Sequence, residues 1–577
     1  MLFGTLFLSY LLTLISLSAV LAKKESILNS LPRAFLIISF YYEVLLIVGV
    51  HIPVFKDQNT GNLIVLIPMI LCGSLAYFRI SHLSGSRSYS LALFTGPTIF
   101  ISLAVFAYMK FGGVLTWAMS GDSRNHVYQI RAVIDRGGIV LFNGYPAMAN
   151  GFAALLGGWK YGSNSVAGGH LGSEIHILGI TSALILVICS VLSGLFLKTK
   201  TGMNVWKIAS ITAVISMIPF SQLFLNNYLS EGFFPSSLSL AVLLAVIYEL
   251  ARDDSNTFSK IAICIMGSSL ILLTFPLLLP LFLPCFFFTF LLHANSKFVE
   301  IFWEMRIRQK IWSLVFVFLP VLVFELVCRI PSVSKYLFLH LNTYGRITQI
   351  DNWGLWALTF AAGLAFFFAA KSDKFFTLLT FFIGVFSIQF SMIMDRILVA
   401  DYYVNKLLWI STTLMIILNL IISASLLLAS YSLLRRLTIG FVSLGLIALT
   451  SLPLLQDFPL KLNLITLATS PEYPSVEDAH LITKTNKIAP RSIFWQVSDD
   501  FGATQVIDIW MTLGFDFDHG AFAWGYNSDV LSLSAVCAFA KDNKPATIWV
   551  VSVEAQKLVK AACASDGVKT VVISSKQ

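Results

Sequence analysis

The chain has 577 residues, 57% of them hydrophobic and 12% charged, with a formal net charge of +9 and a mean hydropathy of +0.81. Soluble globular chains carry roughly 25% charged residues, so this composition excludes a soluble enzyme on a single anchor and points to a polytopic membrane protein. From Asp457 onward there are 10 Lys and Arg against 13 Asp and Glu, leaving 29 against 17 for the rest, dispersed among short loops; that pattern excludes a nucleic-acid-binding face.

The first apolar run, 2–22, is followed by Lys23 and Lys24 and has no clear small-residue cleavage site, so it reads as a retained helix and not as a removed signal peptide. Further runs near the roughly 20 residues needed to cross a bilayer fall at 34–54, 62–78, 90–109, 175–197, 205–224, 234–251, 260–275, 276–293, 311–329, 353–370, 375–393, 403–429 and 437–455. This makes a polytopic all-α protein of about fourteen transmembrane helices over residues 1–456. Pro276, Pro280 and Pro284 suggest a hairpin or a broken helix at the ninth run.

Basic residues fall in the odd-numbered connections: Lys23, Lys24 and Arg33; Arg79 and Arg87; Lys198 and Lys200, with Lys207 just beyond; Lys297, Arg306, Arg308 and Lys310; Arg435 and Arg436. The even-numbered ones hold few, such as Lys56 and Arg396. By the positive-inside rule the odd connections are cytoplasmic. The amino terminus, the loops 110–174 and 330–352, and everything after 456 are then outside.

Residues 457–577 read as a small extracytoplasmic α/β domain, with strand-like runs at 492–497, 547–553 and 569–574 and a helical stretch at 553–564. Of the seven cysteines, Cys72, Cys189, Cys264, Cys285 and Cys328 lie in apolar runs, and no zinc spacing occurs. Cys537 and Cys563 lie in the tail, where an outside compartment permits a disulfide. They form one, or they are two unpaired buried thiols; the sequence does not report the Cα distance that decides it. No internal repeat is evident, which counts against a transporter built from paired halves.

The long outer loop 110–174 holds the chemistry. Its polar, glycine-rich stretch runs Ser120-Gly121-Asp122-Ser123-Arg124-Asn125-His126, and Val127, Ile130, Val133 and Ile134 then recur at helical spacing, as in an amphipathic helix along the membrane interface. Asp122 stands near the amino end of that helix. It caps the helix, it takes a proton from an acceptor hydroxyl, or it does both. His126 follows one helical turn later and either orients the carboxylate, holds a phosphate or is an interfacial helix residue.

Asp122, His126, Gly137-Gly138 and Tyr145-Pro146, with the later stretch Asn226-Asn227-Tyr228-Leu229-Ser230-Glu231-Gly232-Phe233-Phe234-Pro235, resemble the GT-C superfamily of integral-membrane glycosyltransferases. Many apolar helices followed by an extracytoplasmic carboxy-terminal domain resemble its actinobacterial arabinofuranosyl- and mannosyltransferase-like members. The resemblance implies a polyprenyl-phosphate-linked sugar as donor, an inverting transfer and an active site on the outer face, with Asp122 as the catalytic general base. Two features depart from the pattern: Ser123 follows Asp122 where many members have a second acid, and about four helices precede the acid.

A departing phosphate needs cations, and Arg suits bidentate contacts. The candidates are Arg124, Arg131, Arg346, Arg396 and Lys406, with Tyr402 between the last two. Lys406 is a phosphate clamp or a snorkelling anchor beside interfacial tyrosines. Glu231 is a second-tier acid. Glu249 and Glu325, at or within helices, read as packing or hydrogen-bonding residues. His170 and Glu174 would share a helical face that His176 does not, and a lone carboxylate is a poor site for a divalent ion, so neither metal nor cofactor is expected. Trp495, Trp510, Trp524 and Trp549 of the tail stack on sugars or build its core.

The expected partners are the lipid-phosphate sugar donor, a glycan or glycolipid acceptor and membrane lipid, with no nucleic acid, at the plasma membrane. Three alternatives stand beside this reading: a transporter or flippase of lipid-linked glycan, a membrane acyltransferase, for which no deep catalytic His is obvious, and a non-catalytic membrane scaffold.

Overall fold

A computed structural model of the chain describes residues 2–22, 27–52, 58–77, 92–102, 123–139, 147–157, 171–196, 205–220, 234–252, 257–279, 281–286, 352–369, 374–397, 402–428, 437–448, 492–495, 533–542, 545–550, 552–563 and 568–572. The fold is mostly helical. In chain order the helices are α1 (Leu2–Leu21), α2 (Ile27–Gly49), α3 (Gln58–Tyr77), α4 (Ser123–Arg136), α5 (Met148–Leu156), α6 (Leu171–Leu195), α7 (Val205–Met217), α8 (Phe234–Ala251) and α9 (Thr257–Thr274). After them come α10 (Asn352–Ala369), α11 (Lys374–Ile397) and α12 (Tyr402–Leu428). Among the described residues, five helices are long and apolar enough to cross a membrane: Ile27–Gly49, Ile177–Leu195, Phe234–Ala251, Phe375–Met392 and Val404–Leu427. The run at 311–329 and the loop 330–352, up to residue 351, lie outside the described residues.

Helix is the form that lets a chain this apolar satisfy its backbone groups within each segment. The break foreseen near Pro276 is present. α9 stops at Thr274, Phe275 turns extended (φ −153°), and Pro276–Leu278 form a 3₁₀ turn before helix resumes at 281–286. Proline lacks the N–H that a continuing helix needs, and it biases the residue before it away from helical angles.

α8 is the centre of the bundle. Every residue from Phe234 to Leu250 is buried, as a helix apolar on all sides must be. It packs against α2, α5, α6 and α9, while α1 packs on α2 and α3. A second group, α10 to α12, packs together and joins the first through α12 against α7 and α8. Phe196 at the end of α6 also meets Phe376 of α11 edge-on, with centroids 5.8 Å apart. Short polar bonds cross the apolar contacts: Ser239 Oγ donates to Thr274 Oγ1 at 2.8 Å, and Asn419 Nδ2 donates to the Thr359 carbonyl at 2.9 Å. On the outside, α1, α3 and the helical stretch 437–448 expose Leu8, Leu12 and Ile15, Ile70, Leu71 and Leu75, and Phe441 and Leu444. Apolar stripes of this size are the kind that acyl chains cover.

Near the carboxy terminus, strands β1 (Ser492–Trp495), β2 (Ala546–Val550) and β3 (Val568–Val572) form a parallel sheet in the order β1-β2-β3. Helix α13 (Leu533–Asp542) precedes β2, and α14 (Val553–Ala562) connects β2 to β3, as parallel neighbours require. Ser552 caps α14 by accepting the Ala555 N–H at 3.0 Å. Cys537 and Cys563 are joined by a disulfide, with Cα atoms 4.9 Å apart, which ties α13 to the end of α14. Trp495 and Trp549 are buried, so these two serve the core and not a sugar-stacking surface. Trp510 and Trp524 lie outside the described residues.

Candidate functional site

α4 is the amphipathic helix that the spacing of its apolar residues predicts. Val127, Ile130, Ala132, Val133 and Ile134 are buried, while Arg136 at its end is exposed. Its carboxyl end is closed by a Schellman motif: Gly138 N–H bonds the Val133 carbonyl at 2.9 Å and Gly137 N–H bonds the Ile134 carbonyl at 3.2 Å. The motif needs a left-handed residue, and Gly137 supplies it at φ 76°. The chain then runs against the end of α2, where the Ile139 N–H donates to the Leu46 carbonyl at 2.8 Å. That carbonyl belongs to the last turn of α2, whose acceptors lack intrahelical partners. A Cβ on Gly138 would be driven into the same Leu46 oxygen. The Gly137-Gly138 pair therefore has a mechanical role: it stops α4 and lets it dock on α2.

His126 sits in the first turn of α4, 1% exposed. Its Nδ1 lies 3.1 Å from Asn150 Oδ1, and its ring meets Phe234 at the start of α8 edge-on, centroids 5.7 Å apart. An amide oxygen only accepts, so the imidazole carries its proton on Nδ1 in this contact. Asn150 belongs to α5, in which all nine residues are buried. Its Nδ2 has no hydrogen-bond partner among the described residues. A buried donor without an acceptor calls for an oxygen-bearing ligand or a water. The pair is suited to holding a hydroxyl or phosphate oxygen.

Arg131 is half-buried on α4, and Arg124 stands in its first turn. Asp122 lies outside the described residues, directly before the first residue of α4. Glu231 and Arg346 also lie outside them. Arg396 is in the last turn of α11, Tyr402 opens α12, and Lys406 stands one turn into α12, 7% exposed. The sequence candidates thus divide between α4, which packs on α5 and α6, and the junction of α11 with α12.

The opposite ends of α2 and α8 carry a different cluster. Arg33 donates through Nε and Nη2 to Glu249 Oε2 at 3.0 and 2.5 Å, and Arg252 Nη1 lies 3.6 Å from Glu249 Oε1. Arg252 also donates to the Asn29 carbonyl at 3.0 Å, and Lys260 Nζ donates to the Leu250 carbonyl at 3.1 Å. Cations at the end of α8 meet its unsatisfied carbonyls and its negative dipole end. Arg33, expected in a connection, lies inside α2, which begins at Ile27. Glu249 is the anion that lets it be there.

Two residues escaped the sequence reading. Asn150 is a polar interruption of the apolar run Met148-Ala149-Asn150-Gly151-Phe152. Glu43 is a carboxyl within the second apolar run, and a charge-by-charge reading of that run would have singled it out. Comparison with known proteins adds no constraint: no family model, no curated protein and no solved structure matches the chain.

Proposed function

We propose that the protein is a GT-C-type glycosyltransferase that moves a sugar from a polyprenyl-phosphate donor to an extracytoplasmic glycan or glycolipid, with inversion. Asp122 acts as general base. It accepts the proton of the acceptor hydroxyl as that oxygen bonds to the anomeric carbon and the bond to the lipid phosphate breaks. His126 with Asn150, and Arg124 and Arg131 on the same helix, offer donors for the departing phosphate. Arg396, Tyr402, Lys406, Arg346 and Glu231 complete the candidate set. About fourteen helices in the plasma membrane and an extracytoplasmic α/β domain form the frame.

One observation carries the reading. α4, which begins directly after Asp122, docks on the ends of α2 and α8 opposite to the Arg33–Glu249–Arg252–Lys260 cluster. The positive-inside rule assigns a basic end to the cytoplasm, so the end bearing α4 faces outward, where lipid-linked sugars are used. The test is Asp122→Asn in the full-length protein, assayed with polyprenyl-phosphate sugars. Loss of a general base lowers the transfer rate by about 10²–10⁴-fold. A correctly folded variant that transfers at the wild-type rate overturns the assignment.

A second reading, transport or flipping of a lipid-linked glycan, is favoured by Glu43, a carboxyl buried within α2. Translocation of lipid-linked glycan by the protein in liposomes, with no sugar transfer, would select it.

A further inference from the structure

Glu43 is 0% exposed and lies six residues before the end of α2, about 9 Å along the axis. Its Oε1 accepts a 2.8 Å hydrogen bond from Ser269 Oγ of α9. Its Oε2 has no partner among the described residues, and no ion pair reaches it there. Ser39, one turn earlier on α2, is also buried, with an unpartnered Oγ. The elements packed on α2 carry few other titratable groups among their described side chains: Tyr10 on α1, Cys72 on α3, Cys189 on α6, Tyr248 and Glu249 on α8, and Lys260 and Cys264 on α9. Glu249 is held by Arg33, and Lys260 donates to the Leu250 carbonyl. Tyr41 and Tyr42 flank the site on α2 itself.

A carboxylate taken out of water without a counter-charge is costly by many kcal/mol, so something must neutralise it. We propose that Glu43 binds a small monovalent cation, a proton or a sodium ion, within the helix bundle. The ligand set consists of oxygens, which suit a hard ion: the carboxylate, Ser269 Oγ and Ser39 Oγ. One carboxylate balances one positive charge. No group of three His, Cys, Asp or Glu side chains occurs among the described residues to hold an ion of higher charge. The site adjoins the docked end of α4, since α2 carries both Glu43 and Leu46. The inference does not depend on the glycosyltransferase reading and can hold if that reading fails.

The test uses full-length protein in liposomes and dicyclohexylcarbodiimide, an apolar reagent that attacks protonated carboxyls. The carboxyl adds across a C=N bond: its oxygen bonds the central carbon and its proton goes to nitrogen. The acyl group then shifts to nitrogen, leaving a stable N-acylurea with nothing expelled. In sodium-free choline buffer, mass spectrometry of the peptides should find Glu43 labelled in the wild type and no adduct in Glu43→Gln. Labelling slows about tenfold for each unit of pH above the site's midpoint. If added sodium at fixed pH protects Glu43, the ion is sodium; if pH alone governs labelling, it is a proton. Absence of Glu43 labelling across the pH range overturns the proposal. So does labelling indifferent to both pH and sodium, or equal labelling by a water-soluble carbodiimide.

Discussion

Asn150 shows what a single buried amide does in this fold. Its Oδ1 accepts one hydrogen bond from the imidazole of His126, and its Nδ2 donor has no partner among the described residues. Asn150→Ala removes the acceptor and leaves a buried imidazole N–H without its partner, at a cost of about 1–3 kcal/mol. The expected outcome is a lower melting temperature in detergent together with weaker binding of a lipid-phosphate sugar. An unchanged melting temperature would show that the bond adds nothing to stability. His126 could be picked out of the sequence because it is a polar residue beside a periodic apolar helix. Asn150 could not be found by the same means, since hydropathy averaged over a window hides one polar residue among many apolar ones; Glu43 shows in the sequence as a charge within an apolar run, but its burial does not. What makes them notable is burial without enough partners, and burial is a property of packing that no local window contains.

Elements were more legible than residues, for a physical reason: apolar runs of spanning length have one stable form. The proline break after α9 and the three strands of the tail follow from local chemistry and appear close to where that chemistry puts them. α13 lies where the sequence reading places no element, although Leu533, Val536, Cys537 and Ala540 recur at helical spacing; at 10 residues it is too short for that period to stand out. The docking of α4 lay beyond reach, because it depends on a carbonyl at the far end of α2. Two substitutions separate its parts. Gly137→Ala puts a Cβ on a left-handed residue and should cost about 1–2 kcal/mol without unseating the helix. Gly138→Ala pushes a Cβ into the Leu46 oxygen, which belongs to a helix backbone and cannot yield. We expect Gly138→Ala to raise hydrogen exchange across α4 far above the level in Gly137→Ala, and to abolish sugar transfer even with Asp122 intact. Equal exchange in the two variants would mean that the close approach to α2 does not hold α4.

At the scale of the whole molecule, the structure has polarity along its long helices. α2 runs from the Arg33–Glu249 pair to the Leu46–Ile139 bond, and α8 runs from the His126–Phe234 contact to Arg252. One end is basic and the other carries α4, so a single experiment orients both. Cysteines placed at His51 and Arg136, both exposed on the α4 end, should react with a membrane-impermeant maleimide on intact cells. A cysteine at Phe258, 80% exposed at the start of α9 beside Lys260, should react only after the membrane is opened. The background replaces the half-buried thiols Cys72 and Cys264 and keeps the Cys537–Cys563 disulfide. The expectation rests on insertion physics alone: basic flanks stay on the cytoplasmic side. If position 258 labels from outside while 51 and 136 do not, the basic end is the outer one, Asp122 is cytoplasmic, and a transferase drawing on outward-facing lipid-linked sugars has no access to its base. If all three label from one side, the helices between them do not cross the bilayer, and the membrane part of the architecture falls with the function built on it.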